Sequence, residues 1–182
     1  MSDDNKNNQK DSVIQENLWK ILNRFDHLIE STNTKSALII AFNTFVFGGI
    51  VLKWEDLLPS TPLCLVIIGI ISLAAAAISS AVSLWFTLHA IRPFLESHNY
   101  HSNVFFKDIA EYKKPGDYLE KVKEMFPDFL TQDLAYQIHI LSQGMAKKFN
   151  CLKKASQAIF YAQIPALVLF MVVKIIASVM GR

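Results

Sequence analysis

"LLPSTPLCLVIIGIISLAAAAISSAVSLWFTLHAI", residues 57–91, holds 35 positions without one Asp, Glu, Lys or Arg. Two further charge-free runs occur: "SALIIAFNTFVFGGIVL", residues 36–52, and "ASQAIFYAQIPALVLFMVV", residues 155–173. One such run suits a buried core helix. Three in a chain of 182 residues are hard to accommodate in water and fit transmembrane helices. Pro59 and Pro62 break the start of the longest run, so its helix is expected over 61–90. The first run at 1.5 Å per residue reaches about 26 Å, just short of a hydrocarbon core of roughly 30 Å. Its span is expected over 36–53. The third run continues past Lys174, which can snorkel to the interface, and gives a span over 155–180.

Composition agrees. Hydrophobic residues make up 52% and charged residues 19%. An ordinary soluble domain carries more charge, roughly 25%. A net charge of +2 does not argue for nucleic acid as a partner. Cys64 and Cys151 are two cysteines without a disulfide framework, read as small apolar fillers. Residues 1–11, "MSDDNKNNQKD", lack the basic start and apolar core of a secretion signal and are expected to be a disordered leader. The fold class expected is an all-α membrane protein.

Lys and Arg in the flanks set orientation. Residues 1–35 hold five (Lys6, Lys10, Lys20, Arg24 and Lys35), residues 92–154 hold ten, and residues 53–60 hold one. The N-terminus and the central region are therefore expected in the cytoplasm, with the short loop and the C-terminus outside, in the periplasm of a bacterial inner membrane. Trp54 suits the outer interfacial belt and Trp85 the inner boundary; Trp19 lies in the cytosolic helix.

Within the second span small residues recur four apart: Ala76 and Ser80, Ala77 and Ala81, Ser79 and Ser83. Such a face lets helices approach closely in lipid. Self-association and packing among the chain's own spans satisfy it equally. Asn43 and Thr44 in the first span are expected to bond across helices. Pro165 is expected to kink the third span.

The remainder reads as a cytosolic helical domain built jointly from the helix over 12–35, the region over 91–154 and the extension of the third span. Ile14, Leu18, Ile21, Phe25 and Leu28 form a heptad-like stripe, as do Leu134, Ile138, Leu141, Met145 and Leu152. The two stripes are expected to pack on each other. No proline lies between Phe129 and Gln163, so the second helix is expected to continue into the third span, and the first into the first span. Each would be a stiff rod between cytosol and membrane. Between them, Pro115-Gly116 marks a turn, Asp117 and Glu120 resemble a capping box opening a helix over Tyr118–Phe126, and Pro127 ends it.

No phosphate loop, HExxH or CxxC is present, and no enzyme activity is expected. The five histidines are scattered; His98 and His101 lack carboxylate or cysteine partners, so no metal site is expected. "HSNVFFKD" and "KKFNCLKK" offer Ser, Lys and aromatic faces suited to a small anionic ligand. The lysines of the second also satisfy the positive-inside rule or anionic lipid.

Three patches, in this order and spacing, resemble a known family: "TNTKSALIIAFNTFVFGGIVL" (32–52), "SNVFFKDIAEYKKPGDYLEKV" (102–122) and "DLAYQIHILSQGMAKKFNCLKKA" (133–155). They are similar to the transmembrane effectors of Pycsar, a bacterial antiphage defence that signals with cyclic pyrimidine mononucleotides. Where that family more often has Asp, this chain has Asn33. The resemblance implies a homo-oligomeric membrane effector paired with a nucleotide cyclase. A cyclic nucleotide made during infection would trigger it to impair the inner membrane, giving abortive infection. It needs no cofactor beyond that activating ligand. The matched positions are Thr34, Lys35, Ser102, Phe105, Phe106, Asp108, Asp133, Gln137, Ser142 and Lys148. Two rival readings stand beside it. One is a constitutive small channel or transporter, for which only Asn43, Thr44, Thr87, Gln163 and scattered serines offer a polar path, a thin one. The other is a membrane adaptor recruiting a partner through its cytosolic helices.

Overall fold

Six α-helices and one π turn make up the described part of the computed structural model: residues 2–57, 63–93, 102–125 and 129–180, with side chains given from residue 9 onward and not for 53–57. The helices are α1 (Ser2–Leu57), α2 (Leu63–Ile91), α3 (Phe106–Ile109), α4 (Pro115–Met125), α5 (Leu130–Ala158) and α6 (Ile164–Met180). The π turn, Ile159–Gln163, joins α5 to α6. No strand occurs among the described residues. Three stretches are long and apolar enough to cross a membrane, within Gln9–Leu52, Leu63–Ile91 and Leu130–Met180. The all-α membrane architecture is thus observed. Pro59, Pro62, His98, His101, Phe126 and Pro127 lie outside the described residues, as does the Trp54 side chain.

The chain divides into two compact units. The first comprises Met1–Glu30 and Pro93–Ala146, and the second Ser31–Arg92 and Lys147–Arg182. Both α1 and α5 contribute residues to each unit.

Helix α1 starts at Ser2, so it includes residues whose polarity suggested a disordered leader. No proline interrupts it and its first glycine is Gly48, so nothing in the chain terminates the helix early. Its buried and half-buried side chains include Gln15, Leu18, Leu22, Phe25, Ile29, Thr32, Ser36, Ile39, Asn43, Val46 and Ile50. The steps among these are 3 and 4, a heptad seam, with Leu28, Ile40 and Gly48 half-buried beside it. Of the expected stripe, Leu18, Phe25 and Leu28 are half-buried, whereas Ile14 and Ile21 are exposed. The reason is phase. An unbroken helix keeps one buried face, and the face that passes through Asn43 and Ser36 reaches Ile29, Leu22 and Gln15 one heptad at a time.

The first unit has its core at Met125, Leu130 and Leu134, with Leu18 and Val104 packed against them. Leu18 of the α1 stripe thus packs against a cluster that contains Leu134 of the α5 stripe. Gln15 Nε2 donates to Thr131 Oγ1 at 3.1 Å beside it. Helix α4 begins at Pro115, whose fixed φ and missing N–H suit a first helical turn. Asp117 therefore sits inside the first turn, its N–H donating to the Lys114 carbonyl at 3.2 Å, and is not the N-cap that the capping-box pattern implied.

In the second unit α2 packs along α6 and the π turn. Its buried face is Gly69, Ser72, Leu73, Ala76, Ser79, Ser80, Ser83, Thr87 and Ala90, while Ile67, Ile70, Ile71, Ile78 and Trp85 are exposed. The Ala76/Ser80 and Ser79/Ser83 pairs thus serve packing within the chain; Ala81 is exposed. Lys154 Nζ lies 5.5 Å from the Phe86 ring centroid. At Pro165 the helix does not simply lose a bond. Ile164 N–H bonds to Ile159 O, the π spacing, and the extra residue is absorbed just before the proline. The buried series Leu152, Ala155, Ile159, Gln163, Ala166, Phe170, Val173 and Ala177 shows the insertion as two successive steps of four around Ile159.

Candidate functional site

The aromatic segment 102–118 folds around two polar residues. Ser102 is fully buried, and its hydroxyl accepts the N–H groups of Val104 and Phe105, each at 3.1 Å. A serine can close such a turn because its short side chain reaches its own downstream backbone. The Ser102 N–H donates to Asp108 Oδ2 at 2.8 Å, so the first turn of α3 is tied back to its approach.

Asn103 gathers the rest. Its N–H donates to Asp133 Oδ2 at 3.0 Å, its Oδ1 accepts the Tyr112 hydroxyl at 2.7 Å, and its carbonyl accepts the Tyr118 hydroxyl at 3.0 Å. The two tyrosine rings stand 5.4 Å apart. Half-buried tyrosines commonly bury the ring and satisfy the hydroxyl in this manner. One asparagine thereby joins α4, the α3–α4 link and the first turn of α5.

Asp133 sits in that first turn, where the free N–H groups of a helix favour negative charge. It is 1% exposed. Oδ2 holds Asn103, while Oδ1 is buried with no hydrogen-bond partner among the described residues. A buried carboxylate oxygen of this kind can accept a hydrogen bond from an N–H or O–H donor. Gln137, buried one turn further along α5, continues the same face. Phe105 and Phe106 have ring centroids 4.9 Å apart; Phe105 is half-buried and Phe106 is 65% exposed, a face open to stacking.

Of the residues singled out in the sequence, Ser102, Asp108 and Asp133 are thus brought into one bonded cluster. Ser142 bonds within its own helix, its hydroxyl donating to the His139 carbonyl at 2.6 Å. Thr34, Lys35 and Lys148 belong to the second unit. Thr34 and Lys35 are exposed, and partial burial holds the Lys148 ammonium pKa below the ordinary lysine value. Sequence reasoning passed over Asn103, Tyr112 and Tyr118. Their hydroxyl and amide groups lay in the quoted segment, but aromatic composition alone reads as core.

In the second unit the expected cross-helix bonding of Asn43 is present. Asn43 Nδ2 donates to Ser83 Oγ at 3.1 Å and Ser80 Oγ donates to Asn43 Oδ1 at 2.9 Å, whereas Thr44 is exposed. No group of three His, Cys, Asp or Glu that could hold a metal gathers among the described residues.

The family model for the Pycsar effector protein domain (PycTM) matches residues 17–177. The chain belongs to that family. The match takes in the Asn103–Asp133 cluster and all three membrane-length helices. As a Pycsar effector the protein is a membrane component of antiphage defence, linked to cyclic nucleotide signalling. No curated protein and no solved structure matches this Pycsar effector.

Proposed function

We propose that the chain is a messenger-triggered membrane effector. A cyclic pyrimidine mononucleotide, made by a paired nucleotide cyclase during infection, binds the first unit. The helices of the second unit, in a homo-oligomer, then impair the inner membrane and cause abortive infection. The observation that carries this reading is the single family match spanning both the pinned aromatic segment and the three apolar helices. The positive-inside pattern argues for the first unit and the N-terminus in the cytoplasm, where a messenger made inside the cell reaches them, and for the C-terminus in the periplasm. The effector acts by conformation and not by catalysis.

Asp133 Oδ1 suits this ligand class. Pyrimidine bases and the ribose carry N–H and O–H donors, and an orphan buried carboxylate oxygen gains from each. Phe106, in the same unit, supplies an exposed ring for stacking against the base. The ligand shifts the closed state only by its differential affinity for another arrangement, so coupling requires elements shared by both units. Helices α1 and α5 are those elements.

The test is dye release from liposomes carrying the full chain, with cyclic CMP, cyclic UMP, cyclic AMP or no nucleotide. Release only with a cyclic pyrimidine is expected. Release without any nucleotide would replace this reading by a constitutive channel, and no release under any condition would favour an adaptor.

A further inference from the structure

The membrane-length helices bury polar side chains alongside Leu73, Ile159, Phe170, Val173 and several alanines, and expose many of their large apolar ones. In the second unit the buried polar residues are all uncharged: serines, threonines, Asn43 and Gln163. Asn43, Ser80 and Ser83 form one bonded layer. Gln163 lies near the same depth. Lys154 stands beside Phe86. Nine residues onward from Lys154, through the end of α5 and the π turn, and nine back along α2 from Phe86 bring Gln163 level with about Ala77. The π turn that carries Gln163 packs against α2.

Gln163 is fully buried, yet neither Nε2 nor Oε1 has a partner among the described residues; the buried Ser36 hydroxyl is likewise unpartnered. A bundle evolved only to pack has no use for an unsatisfied amide at this depth, where a leucine would do better. Water would satisfy both ends of it. We propose that this buried face, centred on Asn43, Ser80, Ser83, Thr87 and Gln163, is the lining of a path for small hydrated ions, closed in this structure by the contact of the π turn with α2. The inference rests on the membrane-impairing reading above and assigns its conducting surface.

Two consequences follow from the chemistry of the lining. Hydroxyl and amide groups carry no net charge, so the open path passes cations and anions with little preference; selective pores use charged or carbonyl rings. The outer face of Ile67, Ile71, Ile78 and Trp85 is exposed and offers no polar lining apart from the Trp85 indole N–H, so it is not the surface proposed here. Hydration of Gln163 favours the open state, so Gln163→Leu holds the path shut.

The experiment uses the full chain in planar bilayers on a Cys64→Ser/Cys151→Ser background, with cyclic CMP or cyclic UMP added and a charged, membrane-impermeant thiol reagent as probe. During nucleotide-evoked current, the reagent is expected to cut conductance at least about fivefold in Ser83→Cys and to leave Ile78→Cys unchanged. Across a KCl gradient the unmodified protein shows little charge preference, and Ser83→Asp shifts it toward K⁺ by about tenfold in permeability ratio. Gln163→Leu raises the nucleotide concentration for half-maximal current about tenfold, the equivalent of about 1.4 kcal/mol. Evoked current that neither Ser83→Cys modification nor Ser83→Asp alters overturns the lining while leaving the effector reading intact. If no nucleotide evokes current, the effector reading fails first. The lining is then judged on Ser83→Asp, expected to leak without nucleotide because its buried charge draws water in. A helical, inserted Ser83→Asp protein that stays tight would overturn it. Should Ser83→Asp fail to insert, Asn43→Asp decides by the same two outcomes.

Discussion

Replacing Asp133 by Asn separates the two oxygens of one carboxylate. Oδ2 holds the Asn103 N–H at 3.0 Å and Oδ1 has no partner among the described residues. In Asp133→Asn the remaining oxygen can still serve Asn103, so the fold loses only the charge assistance of that bond. Hydrogen bonds to charged groups contribute roughly 1.5–3 kcal/mol and neutral ones about 1 kcal/mol, so the expected loss of stability is about 1 kcal/mol. The second oxygen becomes an NH₂ group. A ligand donor that met a carboxylate oxygen now meets another donor, and the loss should be roughly 1.5–3 kcal/mol, about a 10- to 150-fold rise in Kd. Calorimetry of the detergent-solubilised full chain with cyclic CMP and cyclic UMP reads the binding, and circular dichroism melting reads the fold. A folded Asp133→Asn protein with unchanged Kd would remove Oδ1 from the ligand site and leave Asp133 a purely structural pin.

Further outcomes are expected. Tyr112→Phe removes the 2.7 Å bond to Asn103. It should destabilise the first unit by about 1 kcal/mol, seen as a lower melting midpoint. Asn43→Leu deletes two interhelical bonds, to Ser80 and Ser83. At about 0.6 kcal/mol each, a loss near ~1 kcal/mol is expected in a detergent unfolding titration; a loss above about 3 kcal/mol would mean that the bundle relies on them far more than membrane proteins usually do. Phe106→Ala, at a largely exposed position, should leave helicity and membrane insertion unchanged while abolishing toxicity in cells, and full toxicity would exclude the ring from the ligand site. Lys20 bonds Glu16 at 2.7 Å and lowers the Glu16 pKa. The pair's stabilising effect on α1 is therefore present above the ordinary carboxylate range and is lost as pH falls through the lowered value. Glu16→Gln should remove that small acid-side dependence from the helicity-versus-pH curve, and both residues being exposed, added salt should shrink it in the parent.

The spans were legible from residues alone because the cost of placing charge in hydrocarbon does not depend on which neighbour a helix meets. Three charge-free runs therefore sufficed for the all-α membrane architecture. The order of three motif patches sufficed for the family, which the match over residues 17–177 shows. The continuity of α1 was equally local, since no proline lies within it. What composition could not supply was the identity of partners. Ile14 and Gln15 are neighbours in the chain, and both start a plausible 3,4 series through Leu18; only the folded unit, where Gln15 bonds Thr131 and Ile14 is exposed, selects the face through Gln15. The role of Asn103 depends on Asp133 thirty positions away and on tyrosines 9 and 15 positions away. Pro165 announced a disturbed helix, but whether it kinks or slips into a π turn is decided by which register lets the next four buried positions keep packing on α2. Local chemistry thus determined which segments leave water, because burial is a property of each residue's own surface. The tertiary structure decided which polar groups find one another, because a hydrogen bond requires two atoms within about 3 Å and the chain reaches that distance only when folded.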